Sequence, residues 1–78
     1  SQDGRVVFGS TVHLVDLDSD AEAKYRIVGE DEADIKAGLL SIASPIARAL
    51  IGKNEGDEVA VETPGGKKNN EIVEVEYV

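Results

Sequence analysis

Only one stretch of this chain carries the period of an α-helix together with both of its punctuation marks. In Ser44-Pro45-Ile46-Ala47-Arg48-Ala49-Leu50-Ile51-Gly52, the Ser44 hydroxyl can accept from an otherwise orphaned N–H of the first turn. Pro45 stands at the first helical position, where its missing N–H costs nothing. Gly52 can take the left-handed conformation that closes a helix. Ile46 with Leu50, and Ala47 with Ile51, stack at i,i+4 and predict a buried stripe. A helix this short does not hold itself in water, so it must lie on something larger.

What surrounds it reads in period two. Thr11 to Leu17 is rich in β-branched residues and partly alternating. Glu22 to Val28 alternates more cleanly, with Ala23, Tyr25 and Ile27 inward and Glu22, Lys24 and Arg26 outward. Asp18-Ser19-Asp20 between them is turn chemistry, so the two runs predict a hairpin. Arg5 to Phe8 reads as a short additional strand with Gly9 as a bend, and Leu39 to Ile42 as another. Glu58 to Thr63 places Val59 and Val61 inward. Thr63-Pro64-Gly65-Gly66 then predicts a turn that Lys67-Lys68-Asn69-Asn70 extends as a solvated loop. In the last run Val73, Val75 and Tyr77 share one face. The expectation is one α+β domain over residues 5–78, an antiparallel β-sheet packed against one short α-helix, preceded by a linker remnant at 1–4.

Composition narrows the function. In 78 residues there is no cysteine and a single histidine, which excludes a disulfide or zinc scaffold and leaves apolar contacts to hold the fold. A net charge of −8 repels phosphate backbones, and Phe8, Tyr25 and Tyr77 are too few aromatics for a base-stacking platform, so direct nucleic-acid binding is not expected. No apolar run reaches membrane-span length and no signal peptide is visible, so the cytoplasm is the default location. The acids either keep a small protein soluble or form a face that meets a basic protein surface.

Candidate catalytic and metal sites dissolve one by one. Asp16-Leu17-Asp18-Ser19-Asp20 resembles a calcium loop, but Ala21 follows where that loop needs glycine and Ile27 falls where it needs its bidentate acid. His13 lies between Val12 and Leu14 and points away from both, with no cysteine, second histidine or nucleophile partner, and reads as a surface histidine. Ser10, Ser19, Ser41 and Ser44 lack an activating motif. Glu30, Asp31, Glu32 and Asp34 are dense enough to hold a hard cation weakly, yet read as a solvated turn or an acidic interface rim. Asp31-Glu32-Ala33-Asp34 spells a helicase box without the phosphate loop that box requires. No catalytic residue, metal or cofactor is expected.

Several of these segments together resemble a known family. Val7-Phe8-Gly9-Ser10-Thr11-Val12, Tyr25-Arg26-Ile27-Val28-Gly29, Ser41 through Lys53, Gly56-Asp57, Thr63-Pro64-Gly65-Gly66 and Val75-Glu76-Tyr77-Val78 look like the carboxy-terminal domain of GreA and GreB transcript-cleavage factors, in order and without gaps. The resemblance implies an FKBP-like fold that anchors a transcription elongation factor on RNA polymerase, at the coiled-coil rim of the secondary channel on the β′ subunit. In that family an amino-terminal coiled coil, absent from this chain, carries the tip acids that help hold Mg²⁺ in the polymerase's own active centre. The implied role is a monomeric binding module rather than an enzyme. By position the rim contact falls on Ser41, Ala43, Ser44 and Pro45, with Asp31 and Glu32 nearby. Gre proteins often carry Asp or Asn where this chain has Ala43, a departure that bears on the polar contact there. Two alternatives stand beside it: a polymerase-binding regulator of the nucleoside diphosphate kinase regulator type, and a peptidyl-prolyl isomerase, which would need an apolar pocket lined by several aromatic rings.

Overall fold

The computed structural model describes residues 4–63 and 65–77; Ser1–Asp3 of the linker expected at 1–4, Pro64 of the expected turn and Val78 lie outside them. The β-branched run becomes β1 (Thr11–Asp16), hairpinned to β2 (Glu22–Val28) in antiparallel register with Val12 opposite Tyr25 and Leu14 opposite Ala23. The hairpin turn is fastened by Asp16. Its Oδ1 accepts from the N–H groups of Asp18 at 2.8 Å and Ser19 at 3.3 Å, and its carbonyl accepts from Asp20 N–H at 2.8 Å. The carboxylate that invited a calcium reading is therefore committed to the turn.

After β2 the chain makes two 3₁₀ turns, Glu30–Glu32 and Ile35–Ala37, and re-enters the sheet as β3 (Leu39–Ser41), parallel to β2 with Arg26 opposite Leu39. The helix α1 (Pro45–Leu50) follows, then β4 (Glu58–Thr63) and β5 (Gly66–Glu76). The strand order is β3-β2-β1-β5-β4, so the sheet is mixed, correcting the all-antiparallel expectation. The cause is the reversal at Asp34 and Gly38. Asp34 pairs with Leu39 through two backbone bonds of 2.9 Å, and Gly38, at φ +80°, presents its carbonyl to Arg26 N–H at 2.8 Å. The chain therefore returns along the sheet in the direction it left.

The helix forms as its punctuation dictates. Ser44 Oγ accepts from Ala47 N–H at 3.2 Å, and Gly52 closes the helix at φ +88°. Its buried residues are Ala47 and Leu50, both fully excluded from solvent, and it packs chiefly on β4. Ile51 does not join the stripe. It stands at the helix terminus in a non-helical conformation and is 37% exposed, because the helix has already ended at Leu50.

Three further expectations change. Arg5 to Phe8 is not a strand: Ser10 Oγ donates to Val7 O at 2.6 Å and accepts from Val7 N–H at 3.1 Å, curling the segment into a turn. Val6, fully buried, is tied to the helix exit by bonds with Lys53 and Gly52. Lys67 to Asn70 are not loop but the start of β5, with Lys67 opposite Glu62 and Lys68 opposite Val61. Their polarity reports solvent on their side chains, not an unpaired backbone. Finally, the β1–β5 register shifts between His13 and Leu14: Leu14 faces Ile72, but His13 faces Glu74. Val73 is the extra residue of a β-bulge and is 53% exposed, while Ile72 and Val75 turn inward.

The core gathers Val12, Leu14, Ile27, Leu50, Val61 and Ile72 between the sheet's inner face and α1. Among the described residues no helix is long and apolar enough to cross a membrane.

Candidate functional site at the strand–helix junction

Between the end of β3 and the start of α1 the backbone is fixed by its own serines. Ser41 Oγ accepts from Ala43 N–H at 3.1 Å, Ser41 O accepts from Ser44 N–H at 2.9 Å, and Ile42 N–H donates to Val28 O at 2.8 Å. Ser44 then caps the helix. The junction is thus rigid although Ile42, Ala43 and Pro45 are exposed. It borders an apolar groove of about 360 Å³ whose lining includes Ile35, Leu39, Ser41, Ser44, Pro45 and Ile46. Ile35 forms an outer wall and is 57% exposed.

Of the residues singled out in the sequence, Ser41, Ser44 and Pro45 meet at this groove. Ala43 lies on the exposed turn between them and does not line it. Asp31 and Glu32 sit exposed on the first 3₁₀ turn, and Glu32 borders a separate hollow with Phe8, Arg26 and Leu39. Sequence reasoning missed Ile35. Its signal was a second, smaller set of helix punctuation: Asp34 caps Lys36 N–H at 3.2 Å and Gly38 stops the turn in the left-handed region. Gly38 is the hinge pin of this wall. A β-carbon there would stand 3.2 Å from Lys24 O at an unfavourable φ. Gly38→Ala is therefore expected to cost about 1–2 kcal/mol, read as a lowered urea midpoint with unchanged slope.

The hydroxyls of Ser10, Ser19, Ser41 and Ser44 are all engaged in local turns or caps. Phe8 and Tyr25 line different hollows, and Tyr77 turns its hydroxyl to Arg5 O at 2.7 Å, so the three rings do not converge on one pocket. His13 is not alone, as the sequence suggested. Across the sheet from the groove's strand edge, its Nε2 lies 3.6 Å from Glu76 and 4.0 Å from Glu74.

Residues 1–77 match the family described as transcription elongation factor GreA/GreB, C-term. The chain is 67% identical over 75 residues to transcription elongation factor GreA of Vibrio parahaemolyticus, covering 96% of this chain and 48% of that protein. It is 68% identical over 74 residues to GreA of Alkalilimnicola ehrlichii, covering 95% and 47%. Among solved structures, the prokaryotic transcription elongation factor GreA/GreB from Nitrosomonas europaea superposes with a TM-score of 0.84 at 32% identity, over 99% of this chain and 64% of that one. The chain spans about half the length of the curated relatives it matches.

Proposed function

Because the chain belongs to the C-terminal GreA/GreB family of transcription elongation factors, we propose that it is the body through which such a factor docks on RNA polymerase. In this reading the domain, FKBP-like in fold and occupying residues 5–78, is a monomer of the cytoplasm. It anchors at the β′ coiled-coil rim of the secondary channel, while cleavage of backtracked RNA takes place in the polymerase's own active centre. These residues supply grip and position, not chemistry.

The observation that carries the reading is the open, mainly apolar groove beside the hydrogen-bonded strand–helix junction, with Glu62 as the one acid in its lining. Ser41, Ser44, Pro45 and Ile35 line it, Ala43 stands exposed on the adjoining turn, and in this reading Asp31 and Glu32, exposed on the first 3₁₀ turn, extend the contact beyond the groove as an acidic patch. Such a surface suits a partner that offers an apolar knob ringed by basic side chains. A net charge of −8 speaks against a nucleic-acid partner for the domain itself.

Competition tests it. The 78-residue chain is expected to displace an intact Gre factor from RNA polymerase without stimulating transcript cleavage. Ile35→Glu is expected to weaken that competition about tenfold or more, as truncating a central apolar anchor does, while leaving thermal unfolding nearly unchanged because the side chain is already exposed. Cleavage stimulated by this chain, or competition indifferent to Ile35→Glu, would overturn the assignment.

A further inference from the structure

The outer face of the sheet carries an arrangement that the docking role does not use. His13 on β1 faces Glu74 on β5 directly, and Glu76 is the next residue on that face. Their ligand atoms, one from each side chain, all lie within 4.8 Å of one another. The bulge at Val73 makes this possible. Without the extra residue in register, Val73 rather than Glu74 would stand opposite His13.

His13 Nε2 is the informative atom. The side chain as a whole is 30% exposed, yet Nε2 itself is shut off from solvent and has no hydrogen-bond partner. An imidazole nitrogen in that position is costly unless something satisfies it. The two carboxylates are near enough to attract but not aligned to bond. On the other side, Lys24, opposite His13 on β2, places Nζ 3.5 Å from Glu76. A cation is already drawn to this spot.

We propose that His13, Glu74 and Glu76 form a binding site for a divalent transition-metal ion of the zinc type. Zinc accepts imidazole nitrogen at about 2.0–2.1 Å and carboxylate oxygen at about 2.0–2.2 Å, so two of its ligand atoms stand roughly 3.4 Å apart. The observed 3.6 and 4.0 Å separations close to that with small rotations of the exposed Glu74 and the half-buried Glu76. One nitrogen with two carboxylates suits zinc and its neighbours in the first transition row. It does not suit magnesium or calcium, which take oxygen donors alone. Three protein ligands leave a position open to water. The bound ion would pin β1 to β5 and stabilise the fold by mass action.

The experiment is a zinc titration of the isotope-labelled 78-residue chain at constant pH, followed by amide and imidazole NMR shifts. Saturable one-to-one shifts confined to β1, β2 and β5 are expected, with a raised Tm and no such response to magnesium. His13→Gln, and separately Glu76→Gln, should weaken binding by about tenfold or more. Lys24→Gln should tighten it by about threefold, because the competing cation is gone. An absent or non-saturating response up to millimolar zinc would overturn the site. So would magnesium acting as well as zinc, or His13→Gln binding as the parent does; these outcomes leave only an ion-pair cluster.

Discussion

Ile72→Ala is expected to cost about 2–5 kcal/mol, whereas Val73→Ala, its neighbour, should change stability by no more than about 0.5 kcal/mol. Ile72 is fully buried against Leu14 and its neighbours, while Val73 is 53% exposed. A chain of this size has roughly 4–12 kcal/mol of stability in all, so the first substitution consumes a large share of it. The backbone adds to the contrast. Ile72 N–H donates to Asp57 O at 2.9 Å and its carbonyl accepts from Gly56 at 2.7 Å, so the strand is clamped to the preceding loop just before it bulges. Beyond the bulge Glu55 reaches across to accept from Val75 N–H at 2.8 Å. Urea denaturation of both variants decides the matter: equal shifts, or a larger one for Val73→Ala, would mean that β5 alternates regularly and the bulge is misplaced.

That pair of residues also marks the boundary of what the sequence discloses. In Ile72-Val73-Glu74-Val75 the alternation can be read as Val73 and Val75 inward, or as Ile72 and Val75 inward with one residue to spare. Local pattern favours the first. Only the register of the partner strand selects the second, and register is set by contacts remote in sequence. The parallel course of β3 has the same origin, since Leu39 to Ser41 reads as a strand whichever way its neighbour runs. Lys67 to Asn70 failed for a different reason: polar composition reports where side chains point, not whether the backbone is paired. The β1–β2 hairpin and α1 were legible because their causes are local. Asp16 fastens its own turn, and Ser44, Pro45 and Gly52 bracket their own helix.

The candidate site divides along the same line. Ser41, Ser44 and Pro45 lie close together along the chain, and the turn and capping chemistry that places them is written there in order. The groove is not contiguous. Its outer wall, Ile35, is brought to the junction by the reversal at Gly38, and no periodicity announces that. The neighbours of His13 were not legible, because Glu74 and Glu76 reach it only across the sheet and only after the bulge.

The second large effect is expected at Leu50, and it links packing to docking. Leu50 is fully buried, and with Ala47 it is the contact by which α1 holds to the sheet. Six residues cannot sustain a helix alone in water, so α1 exists because Leu50 and Ala47 are buried. Leu50→Ala should cost about 2–5 kcal/mol. It should also loosen Ser44, Pro45 and Ile46, which border the groove, and so weaken polymerase competition even under conditions where the variant remains folded. Ser44→Ala provides the scale. It removes one capping bond while leaving the helix packed, and should cost only about 1 kcal/mol. If the groove is the docking surface, competition should fall in the order parent, Ser44→Ala, Leu50→Ala when all three are measured at a temperature where circular dichroism shows each to be native. A Leu50→Ala chain that is folded and competes as well as the parent would mean that the partner grips a part of the sheet that the helix does not organise.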